Sequence, residues 1–147
     1  MLKIGQAYET LLAPHIHSKA PTIPFYSSVN AELVSAPGSL DASYWRQNLE
    51  TPVLFNKAMK RMTEEQSGSR IFIEISAHGS MRLVIPDYFT SEQGHEPDTY
   101  FPVMSRGKNC DKQLLKLVGE LFIRNVLVDF DALAPKGTTL TDLPQGY

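Results

Sequence analysis

The side chains that could do chemistry in this 147-residue chain are scattered, and their spacings argue against a complete site. His15 and His17 have the two-residue spacing that puts both imidazoles on one face of a strand, where they could hold a metal. They follow Pro14, where a loop is expected, and no carboxylate or thiol lies close by, so they read as exposed loop histidines. His78 and Ser80 in "AHGSM" stand at the end of an apolar strand. A nucleophile and its base must face each other, which near neighbours seldom do, and the stretch lacks the Gly-x-Ser-x-Gly spacing of a strained elbow. Ser80 is expected to cap a helix instead. Cys110 has basic neighbours in "SRGKNCDK", the setting in which a thiol becomes a nucleophile, but no histidine beside it. Glu74 and Asp87 show no pairing that would suggest acid–base work, and "SRGKN" lacks phosphate-loop spacing. These residues lead to no catalytic residue, no metal site and no cofactor.

The densest stretch is "DASYWRQNLETPVLF", Asp41 to Phe55, with Tyr44, Trp45, Arg46, Gln47 and Asn48 in a row. Either it packs one helix onto a core, or it supports a site whose other residues lie elsewhere. The elements around it alternate. "LKIGQAYETLLAPHI" has apolar residues at helical spacing and should stop near Pro14. "TIPFYSSVN" reads as a strand, and "AELV" as a short hairpin arm. Asp41 is placed to cap a short helix through Asn48, and Thr51-Pro52 to start a second one through Glu65, with Val53, Phe55, Met59 and Met62 on one face. "RIFIEI" predicts a strand buried on both faces. "SMRLVIPDYF" reads as a helix broken near Pro86, "SEQGHEPDT" as a polar loop and "YFPVMS" as a further strand. "CDKQLLKLVGELFIRN" reads as an amphipathic helix with Leu114, Leu117, Val118, Leu121 and Phe122 inward. "PKGTTLTDLPQGY" has no core pattern and reads as an extended tail.

The sum is an α/β class with too few strands for a doubly wound sheet of ordinary size, and a first helix with no capping residue ahead of it. Composition places the chain among ordinary globular proteins, at 42% hydrophobic and 20% charged residues. A net charge of -2 gives no reason to expect nucleic acid or an anionic membrane as partner. No apolar run approaches the ~20 residues a spanning helix needs, and "MLKIGQAYETLL" does not read as a signal peptide. The lone Cys110 excludes an intrachain disulfide, which fits a reducing, cytoplasmic setting.

The order "IPFYSSVNAELV", "LDASYWRQNLETPVLF", "IFIEISAHGSM", "YFPVMSRGKN", "LLKLVGELFIRNVLVDFDAL" and "TDLP" resembles the C-terminal part of the acyltransferase domain of polyketide synthases, most closely the fungal highly reducing type I enzymes. The resemblance covers nearly the whole chain, and the "SYWRQNLETPVLF" block with "FIEISAH" downstream carries most of it. It implies part of an α/β-hydrolase-like large subdomain over residues 1–134, then the start of a post-acyltransferase linker over 135–147. In that family a Ser in a Gly-His-Ser-x-Gly elbow takes an acyl group, commonly malonyl, from coenzyme A and passes it to an acyl carrier protein. The base is a His in a His-Ser-x-x-Met motif. Met1 resembles the Met of that motif, so the Ser, the His and the Arg that grips the malonyl carboxylate are expected ahead of this chain.

The resemblance assigns one supporting position. Asn48 matches the residue whose backbone carbonyl orients the catalytic imidazole, with Tyr44 and Trp45 anchoring its helix in the core. Acyl-CoA and an acyl carrier protein are the implied partners, and self-association through exposed apolar surface is expected of an isolated piece. "EISAH" departs from the family's Glu-Ile-Gly-Pro-His, which implies a relaxed strand exit at Ser76-Ala77. The expected function is that of a truncated acyltransferase domain, inactive alone. The alternatives are a non-catalytic docking module for a synthase or carrier protein, and an enzyme using His78 and Ser80.

Overall fold

The computed structural model describes residues 2–89 and 97–133. They fall in two compact units, Met1–Arg70 with Pro86–Asp98, and Ile71–Ile85 with Thr99–Tyr147. Most of the expected polar loop and the tail over 135–147 lie outside the described residues.

In the first unit, α1 (Leu2–Leu12) passes into a 3-10 turn at Ala13–His15, because Pro14 cannot continue the α-helical hydrogen-bond ladder. Pro24 precedes a two-residue strand, β1 (Phe25–Tyr26), which pairs antiparallel with β2 (Leu33–Val34), Phe25 opposite Val34. The strand expected over "TIPFYSSVN" is this short because the chain turns at once. Ser27 N–H donates to the Glu32 carbonyl at 2.9 Å, and Ala31 N–H to the Ser27 carbonyl at 2.8 Å. Ser27 is fully buried, and its hydroxyl accepts the Val29 N–H at 3.0 Å and bonds the Tyr44 hydroxyl at 2.9 Å.

Tyr44 belongs to α2 (Ala42–Glu50), where the Asp41 carboxylate caps the helix by accepting the Tyr44 N–H at 2.8 Å. Arg46 ties α2 to α1. Its Nη1 donates to Glu9 Oε2 at 2.9 Å and Gln6 Oε1 at 2.8 Å, and its Nε to Glu50 Oε2 at 3.0 Å. The Glu50 carboxylate lies against α1 at Gly5, where a Cβ would force that side chain to move.

Thr51-Pro52 does not start the next helix. Thr51 ends α2, with its N–H and its hydroxyl both donating to the Gln47 carbonyl at 2.8 Å. α3 (Phe55–Glu65) follows Leu54, whose N–H goes to the Ser28 carbonyl at 2.7 Å. The intended apolar face is narrower than its pattern. Ala58 is buried, Phe55, Met59 and Met62 are half-buried, and Val53, ahead of the helix, is exposed.

The second unit is built on a parallel pair, β3 (Ile71–Glu74) and β4 (Thr99–Pro102), with Ile71 opposite Thr99 and Glu74 opposite Pro102. A parallel pair needs a crossover, which the intervening chain supplies. The expectation of burial on both faces fails, because among the described residues only β4 pairs with β3. Ile73 is 42% exposed, and Ile75 just beyond the strand is 86% exposed. "SMRLVIPDYF" forms turns and then a 3-10 segment at Ile85–Tyr88 rather than an α-helix, because Ser80 is engaged elsewhere and Pro86 withholds a donor. α4 (Cys110–Phe122) is capped by Asn109, whose Oδ1 accepts the Lys112 N–H at 2.9 Å. Of its expected inward residues, Leu117 is buried and Val118 and Leu121 are half-buried, while Leu114 and Phe122 are exposed.

Candidate functional site

Asn48 sits on an exposed position in the last turn of α2. In an α-helix its carbonyl would accept the N–H four residues on, but that residue is Pro52, which has none. Gln47, one residue earlier, receives two bonds from Thr51. The local sequence thus leaves the Asn48 carbonyl as a helix-end acceptor with no intrahelical donor. That is the chemistry needed to receive an imidazole N–H.

The residues expected to anchor this helix divide. Tyr44 is buried and bonded to Ser27. Trp45 is half-buried, not buried, with its ring edge-on to Tyr44 at 5.3 Å, because successive helical residues point about 100° apart and only one can face the core. Tyr44→Ala should therefore cost about 3–5 kcal/mol, and Trp45→Ala about 2 kcal/mol. Urea denaturation followed by circular dichroism checks the ranking, and a costlier Trp45→Ala would contradict it.

A polar cluster that the sequence did not announce lies in the second unit, around Glu74. Its Oε1 accepts from the Ser76 hydroxyl at 2.7 Å and from the Ser80 hydroxyl and N–H at 2.7 and 3.1 Å. Its Oε2 accepts from the Met81 N–H at 3.0 Å and from the Tyr100 hydroxyl. Burial pushes the carboxyl up, but the bonds from Tyr100, Ser76, Ser80 and Met81 outweigh it and hold Glu74 down to about 2. Burial and the bond to Glu74 push the Tyr100 phenol up to about 12. Gly79 makes room, since a Cβ there would stand 3.1 Å from the Tyr100 hydroxyl oxygen. The available signal was the spacing of Ser76 and Ser80 after Glu74 in "EISAHGS"; the Tyr100 contact depends on the β3–β4 register and was invisible.

This cluster corrects the expectation of a relaxed strand exit. Ser76 Oγ lies within hydrogen-bond reach of both Glu74 Oε1 and the His78 carbonyl, at 2.7 and 2.6 Å, so the exit is tied down by side-chain bonds. Ser80 donates its hydroxyl proton to Glu74, not to His78, and His78 is exposed. A low-lying carboxylate saturated with donors is a structural acceptor rather than a general base. His15 and His17 are exposed, as is Cys110 at the start of α4. Asp87 lies in the 3-10 segment of the first unit, and no group of three or more His, Cys, Asp or Glu among the described residues could hold a metal. No helix among them is long and apolar enough to cross a membrane.

The comparisons with known proteins agree with the order of these elements. Residues 1–126 match the family model described as the acyl transferase domain. The chain is 43% identical over 98% of its length to a highly reducing polyketide synthase of Glarea lozoyensis, and 43% identical over 98% to one of Alternaria alternata. It spans 6% of the length of each. The crystal structure of the acyltransferase domain from module 8 of the salinomycin polyketide synthase matches with a TM-score of 0.61 at 24% identity, over 87% of this chain and 30% of that one. That likeness shows the mixed helix and strand fold. With a family model matching residues 1–126 and fungal relatives aligned along nearly its whole length, the chain belongs to the acyl transferase domain family.

Proposed function

We propose that the chain is the C-terminal portion of a polyketide synthase acyltransferase domain over residues 1–134, with a post-acyltransferase linker beginning at 135–147. Its part in the reaction is to hold the base of an acyl transfer in place. A serine oxygen attacks the thioester carbonyl of malonyl- or another acyl-coenzyme A while a histidine takes the serine proton. The coenzyme A thiolate leaves and is protonated by the imidazolium. The thiol of an acyl carrier protein then attacks the acyl-serine by the same route in reverse. The Asn48 carbonyl accepts the imidazole's other N–H, which fixes its tautomer and supports the imidazolium that forms. The observation that carries this reading is that Pro52 leaves that carbonyl without an intrahelical donor, in a chain of this family.

The sequence contains no Gly-His-Ser-x-Gly, and the Ser80 hydroxyl, two residues from His78, is spent on Glu74. The chain by itself is therefore expected to be inactive, in a cytoplasmic setting where acyl-CoA and carrier proteins occur. Incubation with malonyl-CoA followed by intact-protein mass spectrometry should show no mass gain. An acyl adduct lost in Ser80→Ala would overturn the assignment and return the activity to His78 and Ser80.

A second reading, a non-catalytic module that docks on a synthase or carrier protein or on a second copy of itself, is favoured by the exposure of Ile75 and Leu83, at 86% and 87%. A stoichiometric complex with carrier protein, without acylation, separates it from the first.

A further inference from the structure

The second unit contains a cleft of about 330 Å³ bounded by β4, α4 and Arg82. Phe101, Pro102 and the buried Leu117 supply its apolar lining, with the Arg124 guanidinium 5.0 Å from the centre of the Phe101 ring. Two cations, Arg82 and Lys116, line it, and neither makes a hydrogen bond or ion pair among the described residues. The one carboxylate in the lining, Glu120, is already paired with Arg124 at 2.6 Å. Tyr100 also lines the cleft, but its proton is committed to Glu74, and burial with that bond pushes the phenol up to about 12 against the pull of Arg82, so it adds no negative charge. The charge left facing the cleft is positive, beside the apolar side chains of Phe101, Pro102 and Leu117.

We propose that this cleft binds a small organic anion, a single carboxylate or phosphate head held between Arg82 and Lys116 on a compact apolar body that rests on Phe101, Pro102 and Leu117. Guanidinium and ammonium groups bond carboxylate and phosphate oxygens with charge assistance. A cleft of this volume stands at the small end of ligand sites, which suits a body of one ring or a short branched chain. Gln113 reaches the same cleft from α4 and supplies a neutral amide donor beside the cations. The inference does not depend on acyl transfer, since every residue it uses lies within the second unit. The first unit's cleft, lined by Lys60 and Asp87 of opposite charge, lacks this bias.

Titration of the whole chain with phenyl phosphate, benzoate and inorganic phosphate, followed by amide NMR shifts, tests it. Phenyl phosphate and benzoate should saturate with Kd about 1 mM or below, the range open to a ligand of some ten heavy atoms. The shifts should be confined to residues 82, 100–105 and 113–120. Lys116 is exposed, so Lys116→Glu should keep the fold and weaken binding about tenfold or more, while Arg82→Gln weakens it to a lesser degree. Lys60→Glu in the first unit should leave binding unchanged. Linear, non-saturating shifts would overturn the site, as would equal losses in Lys116→Glu and Lys60→Glu. Inorganic phosphate binding as tightly as phenyl phosphate would overturn the apolar half of it.

Discussion

Mixing this chain with an upstream acyltransferase fragment that carries Gly-His-Ser-x-Gly and His-Ser-x-x-Met should restore malonyl transfer to a carrier protein, where neither piece alone transfers. Removing the Ser or His of such a site costs about 10⁴–10⁶ in rate, so the difference between the mixture and either half is large. The contribution of this chain is tested by two substitutions. Asn48→Ala keeps the backbone carbonyl and removes an exposed side chain, so transfer should stay within about twofold of the parent mixture. Pro52→Ala supplies an N–H four residues beyond Asn48, which competes for that carbonyl, and should lower transfer about tenfold. The order of effects is unusual, because the altered side chain at the site matters less than one in the following turn. A mixture that fails for Asn48→Ala and works for Pro52→Ala would place the role on the amide side chain instead. A mixture that never transfers, although the two pieces co-elute, would remove the site reading and leave the docking one.

The parts of the fold legible in the sequence were those fixed by local chemistry. Asp41 caps α2 because a short acceptor side chain precedes the helix. Pro14 ends α1 for an equally local reason. Thr51-Pro52 misled because a Thr ahead of a Pro suits a helix start and a helix end alike. Which one forms was settled by the Leu54 N–H reaching the Ser28 carbonyl, a contact between residues 26 apart in sequence that no local pattern records. Ile71 to Ile75 misled for a similar reason. An apolar run reports what a strand could bury, whereas Ile73 and Ile75 stay exposed because only β4 pairs with this strand among the described residues. Asn48 is proposed through resemblance, and the donor its carbonyl lacks, because residue 52 is a proline, is legible in "NLETP". The Glu74 cluster was half legible. Its two serines follow in sequence, but Tyr100 arrives from 26 residues away through the parallel register, and it is the pairing of Glu74 with Tyr100 that makes the cluster more than a turn.

Replacing Glu74 by Ala should cost the second unit about 3 kcal/mol, because it strands donors that reach the carboxylate from the exit of β3 and from β4. Water can serve the exposed Ser80 hydroxyl, so the loss falls mainly on the Tyr100 hydroxyl and the Met81 N–H. Glu74→Gln is informative because its shape is conserved. One amide end must carry NH₂ where the carboxylate had an acceptor, and in either flip a backbone N–H, of Ser80 or of Met81, faces that NH₂. The pH dependence follows from the same bonds. Glu74 is lowered from 4.5 to about 2, so its stabilisation is complete above the unfolded value and drains as pH falls toward 2. Tyr100 is raised from 10.0 to about 12, so its stabilisation is complete below the unfolded value and drains as pH rises toward 12. The second unit should hold a plateau between about pH 5 and 9 and lose about 1–3 kcal/mol on the acid side, the larger figure being reduced by solvent screening. Amide hydrogen exchange at residues 71–74 and 99–101 reads this unit, whereas the single Trp45 reports the first. Protection at those positions should fall between pH 6 and 3 in the parent chain. It should start lower in Glu74→Ala and change little over the same interval. A parent chain with equal protection at both pH values, or a Glu74→Ala chain as protected as the parent at pH 6, would show that β3 and β4 are held together without this carboxylate.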